Sequence, residues 1–131
     1  MERSVETIIK PRFSETDMRG HIGNTVIPVW LSEGRGVLFR EILGSKLPLV
    51  VANLNVDYRG ELFLGSPVTV RTAIKKIGNS SICYQQEIWQ YDVCCVTAHT
   101  TVIAIDSGTG KPMRVPDRER NLLKDYVVSG C

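Results

Sequence analysis

No stretch of this chain is apolar for long enough to cross a bilayer, and its first residues, MERSVETIIKPRF, carry charges where a secretory leader needs an apolar core. An excess of one charge sign is also lacking. The 16 Lys and Arg against 14 Asp and Glu leave a formal charge of +2, and the basic residues are scattered, so nothing argues for a nucleic-acid partner. The four cysteines, Cys83, Cys94, Cys95 and Cys131, include neither a CxxC pair nor a Cys/His ligand spacing, so no metal site is expected. Cys94 and Cys95 are neighbours in a predicted strand and point to opposite faces, which argues against a disulfide framework. These absences lead to the expectation of a reduced, cytoplasmic protein with no membrane contact and no cofactor. Repeats, linkers and low-complexity segments are absent too, so residues 1–131 read as one domain. With 23% charged and 43% hydrophobic residues the chain is globular, and at this size it buries roughly two-thirds of its unfolded surface.

What is present centres on Arg12 to Arg35, RFSETDMRGHIGNTVIPVWLSEGR. A strand gives way to a polar loop with Asp17, His21, Gly23 and Asn24, and the loop runs into a helix. A helix start offers unpaired N–H groups and a partial positive charge, suited to an anion or a developing oxyanion. An acid and a base lie within reach of that corner.

The remaining pattern sets the elements in order. Ser4 to Phe13 reads as a strand with Val5, Thr7, Ile9 and Phe13 on one face, and Pro11 suits a sheet edge or bulge. Ser14 to Asn24 is the loop. A helix lies between Thr25 and Leu43, capped directly by Asn24 or Thr25, or else starting at Pro28 after a separate turn. Its apolar residues cover more than one face, so a sheet is expected to wrap around it. Gly34 and Gly36 each lower helix propensity by roughly 1 kcal/mol and would be tolerated where another backbone packs closely. Gly44 closes the helix. Strands follow at Leu49 to Tyr58, Val68 to Ile77, Ser81 to Asp92 and Val93 to Asp106. The last, VCCVTAHTTVIAID, is expected to be buried on both faces. Pro116 to Tyr126 forms a short helix with Asp117 at its start. One long helix with antiparallel strands is an α+β design.

The loop and helix also carry a family likeness. Glu15-Thr16-Asp17, Met18-Arg19, Gly20-His21, Ile22, Gly23-Asn24 and then Trp30-Leu31-Ser32-Glu33-Gly34-Arg35 align without gaps to an Asp-Thr-Asp, Gly-His, helix Glu-Ala-Arg pattern. That pattern resembles the signature of hotdog-fold acyl-CoA thioesterases, the 4-hydroxybenzoyl-CoA thioesterase-like group. Gly23, Ile27-Pro28 and Gly34 depart from it. The resemblance implies a curved antiparallel sheet wrapped around the central helix. It also implies a homodimer, often doubled to a tetramer, with sites at the subunit interface.

It further implies roles. Asp17 is the catalytic carboxylate, as nucleophile or general base, where the residues alone would leave it capping a turn. His21 fixes Asp17 by hydrogen-bonding the loop, with direct proton transfer as its alternative. Asn24 polarises the thioester carbonyl through its backbone N–H. Glu33 is the reserve acid, otherwise paired with Arg35 or at a subunit contact. His99 reads as a core or interface histidine. Coenzyme A carries phosphates, for which Arg59, Arg71, Lys75 and Lys76 are available, with an ordinary solvated turn as the equal reading of the lysines. The implied reaction is hydrolysis of an acyl-CoA, or of an acyl-carrier-protein thioester. A non-catalytic binding or assembly module of the same fold is the alternative, and a dehydratase is disfavoured by the loop pattern.

Overall fold

The computed structural model describes residues 3–128, so the expectation for Cys131 lies outside the described residues. Five strands form one antiparallel sheet: β1 (Val5–Ile9), β2 (Leu49–Tyr58), β3 (Val68–Ile77), β4 (Ser81–Gln90) and β5 (Val93–Ala104), in spatial order β1-β3-β4-β5-β2. Helix α1 (Ile27–Gly36) continues through a wider-wound segment, Val37–Ile42, and packs on one sheet face. A second helix, α2 (Asp117–Leu123), closes the far end, with Leu123 fully buried. This is the hotdog arrangement.

Alternation builds the covered face. Val68, Val70, Thr72 and Ile74 of β3 are buried, as are Ile82, Tyr84, Gln86 and Ile88 of β4 and Val96, Ala98, Thr100 and Val102 of β5. A polar row, Thr72, Gln86 and Thr100, splits this face into two apolar clusters. One holds Leu38, Phe39, Ile74, Tyr84 and Val102, and the other Ile27, Trp30, Leu31, Val70, Ile88 and Val96. The row is fully hydrogen-bonded. Gln86 Nε2 donates to the Leu31 carbonyl (2.9 Å) and to Thr72 Oγ1 (3.0 Å), and Arg35 donates to Gln86 Oε1 (3.2 Å) and Thr100 Oγ1 (3.3 Å). A buried amide left unpaired would cost about 1–3 kcal/mol, so this row fixes where the helix sits. Burial pushes the Arg35 guanidinium below its usual pKa.

Several sequence expectations need correction. β1 stops at Ile9, and Phe13, expected within the strand on one face with Val5 and Ile9, opens a short 3-10 turn and is exposed. The strand does lie at an edge, which accommodates Pro11 just beyond it. The helix begins at Ile27 with Pro28 in its first turn, after a separate turn at residues 24–26, so direct capping by Asn24 or Thr25 is not what happens. The strand expected through Asp92 ends at Gln90. Tyr91 (φ 51°) and Asp92 (φ 60°) make a tight two-residue hairpin turn without glycine or asparagine, which hid it. β5 is buried on one face only; Thr97, His99, Thr101 and Ile103 on its other face are half-covered, and among the described residues no layer packs there. β2 has the expected bounds but is mostly exposed on both faces, since it is the outermost strand and the helix does not reach over it.

The two helix glycines differ. A Cβ on Gly34 would stand 2.8 Å from both Thr72 Oγ1 and Val70 Cγ1, while one on Gly36 would meet nothing within 4 Å. The close approach at Gly34 is thus to sheet side chains. Gly34→Ala is predicted to cost about 1–3 kcal/mol through overpacking. Gly36→Ala is predicted to gain roughly 0.5–1 kcal/mol, because its backbone is already helical. Urea unfolding midpoints check both, and a neutral Gly34→Ala would contradict the packing described.

Candidate active site

Two loops meet beside the start of α1. The first, residues 12–26, is held from within. Glu15 accepts the Arg12 N–H (2.8 Å) and the Trp30 indole N–H (3.0 Å), and its carbonyl takes the Gly23 N–H (2.9 Å). Gly20, at φ 81°, reverses the chain in a conformation that favours glycine. Asp17 then closes a small ring: its N–H donates to the His21 carbonyl (2.7 Å), while its Oδ1 accepts the N–H groups of Arg19 (2.8 Å) and His21 (3.0 Å). Oδ2 makes no such contact among the described residues. The Arg19 N–H is the main cause that holds the Asp17 carboxyl below the usual aspartate range; desolvation opposes it, and the His21 N–H adds to the lowering. The side chain is exposed and ionised at neutral pH.

The second loop, residues 59–67, is stitched to the first. Ile22 donates to the Leu62 carbonyl (2.8 Å), and His21 and Phe63 pair as a short antiparallel bridge. The loop is itself clamped by buried Gln90, which takes the Phe63 N–H (2.9 Å) and gives its own N–H groups to the carbonyls of Phe63 and Ser66 (2.9 Å each). A bulge places Cys95 as the extra residue of β5, and its carbonyl receives the N–H groups of Arg59 (2.8 Å) and Gly60 (3.1 Å). The result is that Glu61 reaches the His21 ring: its Oε2 contacts His21 Nδ1 and its Oε1 lies 3.5 Å from the Arg19 guanidinium. The ring also stands edge-on to Phe63, centroids 4.8 Å apart.

These loops enclose a cleft of about 510 Å³. Asp17, His21, Asn24, Arg59 and Glu61 bring polar groups to it, and Ile22, Ile27, Leu62 and Val96 supply apolar surface. Asn24 sits in the turn that enters α1. Its carbonyl accepts the Tyr58 hydroxyl (2.9 Å), and among the described residues no acceptor takes its N–H. A free carboxylate oxygen, a free N–H at a helix entry and an apolar floor can attack a carbonyl, polarise it and seat an acyl group.

The structure thus places Asp17, His21, Asn24 and Arg59 around one cleft. Glu33 is elsewhere, exposed over a separate groove with Lys10, Arg12 and Trp30. Among the described residues it makes no ion pair with Arg35, whose partners are Gln86 and Thr100. Lys75 and Lys76 lie toward the far end of β3, where Lys75 is a bulged residue opposite the β4 start, and neither lines the cleft. The turn after them is occupied structurally: Arg120 donates to the carbonyls of Gly78 (2.7 Å) and Asn79 (2.8 Å). Arg71 pairs with Glu6 and covers the Trp89 ring on the outer sheet face. His99 lies on that face too, 3.4 Å from Gln85, and burial, helped by Lys75, pulls its pKa below the usual value. Glu61 was missed in the sequence; only its place three residues after Tyr58, in a loop between two strands, pointed to it. Among the described residues no cluster of three His, Cys, Asp or Glu is placed to hold a metal ion.

Comparison with known proteins gives the family. Residues 19–102 match the thioesterase superfamily. The chain is 34% identical to a predicted thioesterase from Bacillus stearothermophilus, covering 98% of this chain and 100% of that one at a TM-score of 0.91. Two others share the fold at lower identity. One is a thioesterase complexed with coenzyme A and Zn from Thermus thermophilus (21% identity, 91% and 90% covered, TM-score 0.80). The other is DHNA-CoA thioesterase from Staphylococcus aureus (24% identity, 94% and 88% covered, TM-score 0.79).

Proposed function

Because the chain belongs to the thioesterase superfamily, we propose that it is an acyl-CoA thioesterase, hydrolysing an acyl-CoA to the free acid and coenzyme A. The observation that carries this reading is the pairing of the free Asp17 Oδ2 with the unpaired Asn24 N–H on one apolar-floored cleft. The thioester carbonyl oxygen takes the Asn24 N–H, where the helix start adds partial positive charge as the oxyanion develops. Asp17 then either attacks the carbonyl carbon or takes a proton from the attacking water, and both roles need the ionised carboxylate that its two N–H donors secure. The acyl group lies against Ile22, Ile27, Leu62 and Val96. Arg59, tethered to Thr97 (3.0 Å), offers a cation to the phosphates of coenzyme A, a substrate class supported by the coenzyme A complex of the Thermus protein. Lys75 and Lys76 do not line the cleft, so a coenzyme A contact by them would lie outside it.

We also propose that the protein works as a homodimer or a dimer of dimers. β2 leaves an open hydrogen-bonding edge and exposes Val50, Val51, Leu54 and Tyr58, a surface that a second copy would cover. Light scattering at micromolar concentration is expected to give a dimer or tetramer mass; a monomer would contradict this.

Asp17→Asn keeps the shape but removes charge and basicity. The variant is predicted to lose at least ~10²-fold in kcat with KM little changed, measured as free-thiol release from a panel of short, long and aromatic acyl-CoAs. Glu33→Gln, outside the cleft, is expected to retain activity. Wild-type turnover in a folded Asp17→Asn protein, or a large loss in Glu33→Gln alone, would overturn the assignment.

A further inference from the structure

Beside Asp17, the cleft holds one side-chain cluster that the proposed reaction does not yet use: Glu61, the His21 ring and Arg19. Resting on the thioesterase reading, we infer that Glu61 is a positioning residue that takes the His21 Nδ1 proton and so leaves Nε2 as the base for the second half of the reaction.

The argument begins with hydrogen-bond capacity. Glu61 Oε2 contacts His21 Nδ1, and the Arg19 guanidinium stands 3.0 Å from the same nitrogen. A guanidinium only donates and a carboxylate only accepts, so one nitrogen cannot satisfy both at once. A proton on Nδ1 serves Glu61, and Arg19 then pairs with Glu61 Oε1 at 3.5 Å. A bare Nδ1 would serve Arg19 and leave the Glu61 oxygen facing a lone pair. The first arrangement satisfies all three groups. It fixes the tautomer as a carboxylate does in a Ser-His-Asp triad. Nε2 is then the basic atom, and nothing among the described residues occupies it. The ring is kept in place by the edge contact with Phe63, and the Glu61 loop by the Gln90 clamp. The His21 backbone, not its ring, is what holds Asp17, so the imidazole is free for another task.

That task follows from Asp17 acting as the nucleophile. Asp17 Oδ2 bonds to the carbonyl carbon, the C–S bond breaks, and coenzyme A departs as a thiolate that takes a proton from solvent. This leaves an acyl anhydride on Asp17. Water then attacks the anhydride: its oxygen bonds to carbon, its proton passes to His21 Nε2, and the Asp17 carboxylate is released. The imidazolium returns the proton to solvent. Asp17 has no second carboxylate oxygen to spare for the water, because Oδ1 is held by two N–H groups. A separate base is therefore required.

The test combines two readouts on wild type, Glu61→Ala and Glu61→Gln. Nitrogen-15 spectra of the His21 ring are expected to show the proton on Nδ1 in the wild type and on Nε2 in Glu61→Ala. Glu61→Gln, whose amide oxygen still accepts from Nδ1, should keep the wild-type form. In rapid mixing with acetyl-, octanoyl- and benzoyl-CoA, Glu61→Ala is expected to release one thiol per site in a burst and then turn over at least ~10-fold more slowly, part of the ~10²-fold or more that a positioned base contributes. KM should fall with kcat, and Glu61→Gln should recover part of the rate. A wild-type ring protonated on Nε2, unchanged turnover in Glu61→Ala, or loss of the burst together with turnover would each overturn the inference. Failure here with Asp17→Asn still inactive leaves the thioesterase reading standing; full activity in Asp17→Asn removes that reading itself.

Discussion

The hydrogen bonds of Gln86 are the constraint on which the rest of the structure depends. A single buried amide joins the helix carbonyl of Leu31, the β3 hydroxyl of Thr72 and the guanidinium of Arg35. Apolar packing on either side is tolerant of small slips, because burial is non-directional. The amide is not: moving the helix by a fraction of a turn would strand its donors in a low-dielectric core. Gly34 lets the helix approach the sheet closely enough for these bonds to form. The helix axis being fixed, its first turn is fixed too, and with it the corner that faces the cleft.

The cleft is built the same way, from short-range polar contacts laid over that frame. Gln90 is to the loop at residues 59–67 what Gln86 is to the helix, satisfying both N–H and C=O groups of a segment that lies outside the sheet. Glu15 does the equivalent for the first loop by reaching the Trp30 indole. Glu15 lies two residues from Asp17, and Phe63, which Gln90 holds, lies two residues from Glu61. The Asp17 carboxylate itself stays exposed, and two peptide N–H groups, that of Arg19 foremost, hold it below the usual aspartate range. That division holds the loop geometry while leaving one carboxylate oxygen open to the cleft.

Much of the frame was legible in the sequence. Strand alternation marked β2 and β3 to the residue, and the motif loop identified where Asp17 and Asn24 would sit. What escaped notice shares a physical cause: it depends on contacts distant in sequence. The Tyr91–Asp92 turn uses positive φ at residues that rarely adopt it, tolerated because the flanking strands are paired along their whole length. The exposure of β2 follows from its place in the strand order, which alternation does not encode. Glu61 lies in a loop whose path is set by Gln90, 27 residues after Phe63, and by the Cys95 bulge. The lysine pair looked suited to phosphate as a sequence, but the topology carries it away from the cleft, and the adjoining turn serves Arg120 instead.

The central claim is that thioester chemistry occurs where the Asp17 loop meets the start of α1. A crystal structure of the Asp17→Asn variant bound to an intact acyl-CoA tests it most directly. The account predicts the thioester carbonyl oxygen within hydrogen-bonding distance of the Asn24 N–H, the carbonyl carbon facing residue 17, and the acyl group on Ile22, Ile27, Leu62 and Val96. A thioester lodged in the groove beside Glu33, with the Asp17 cleft empty, would contradict it.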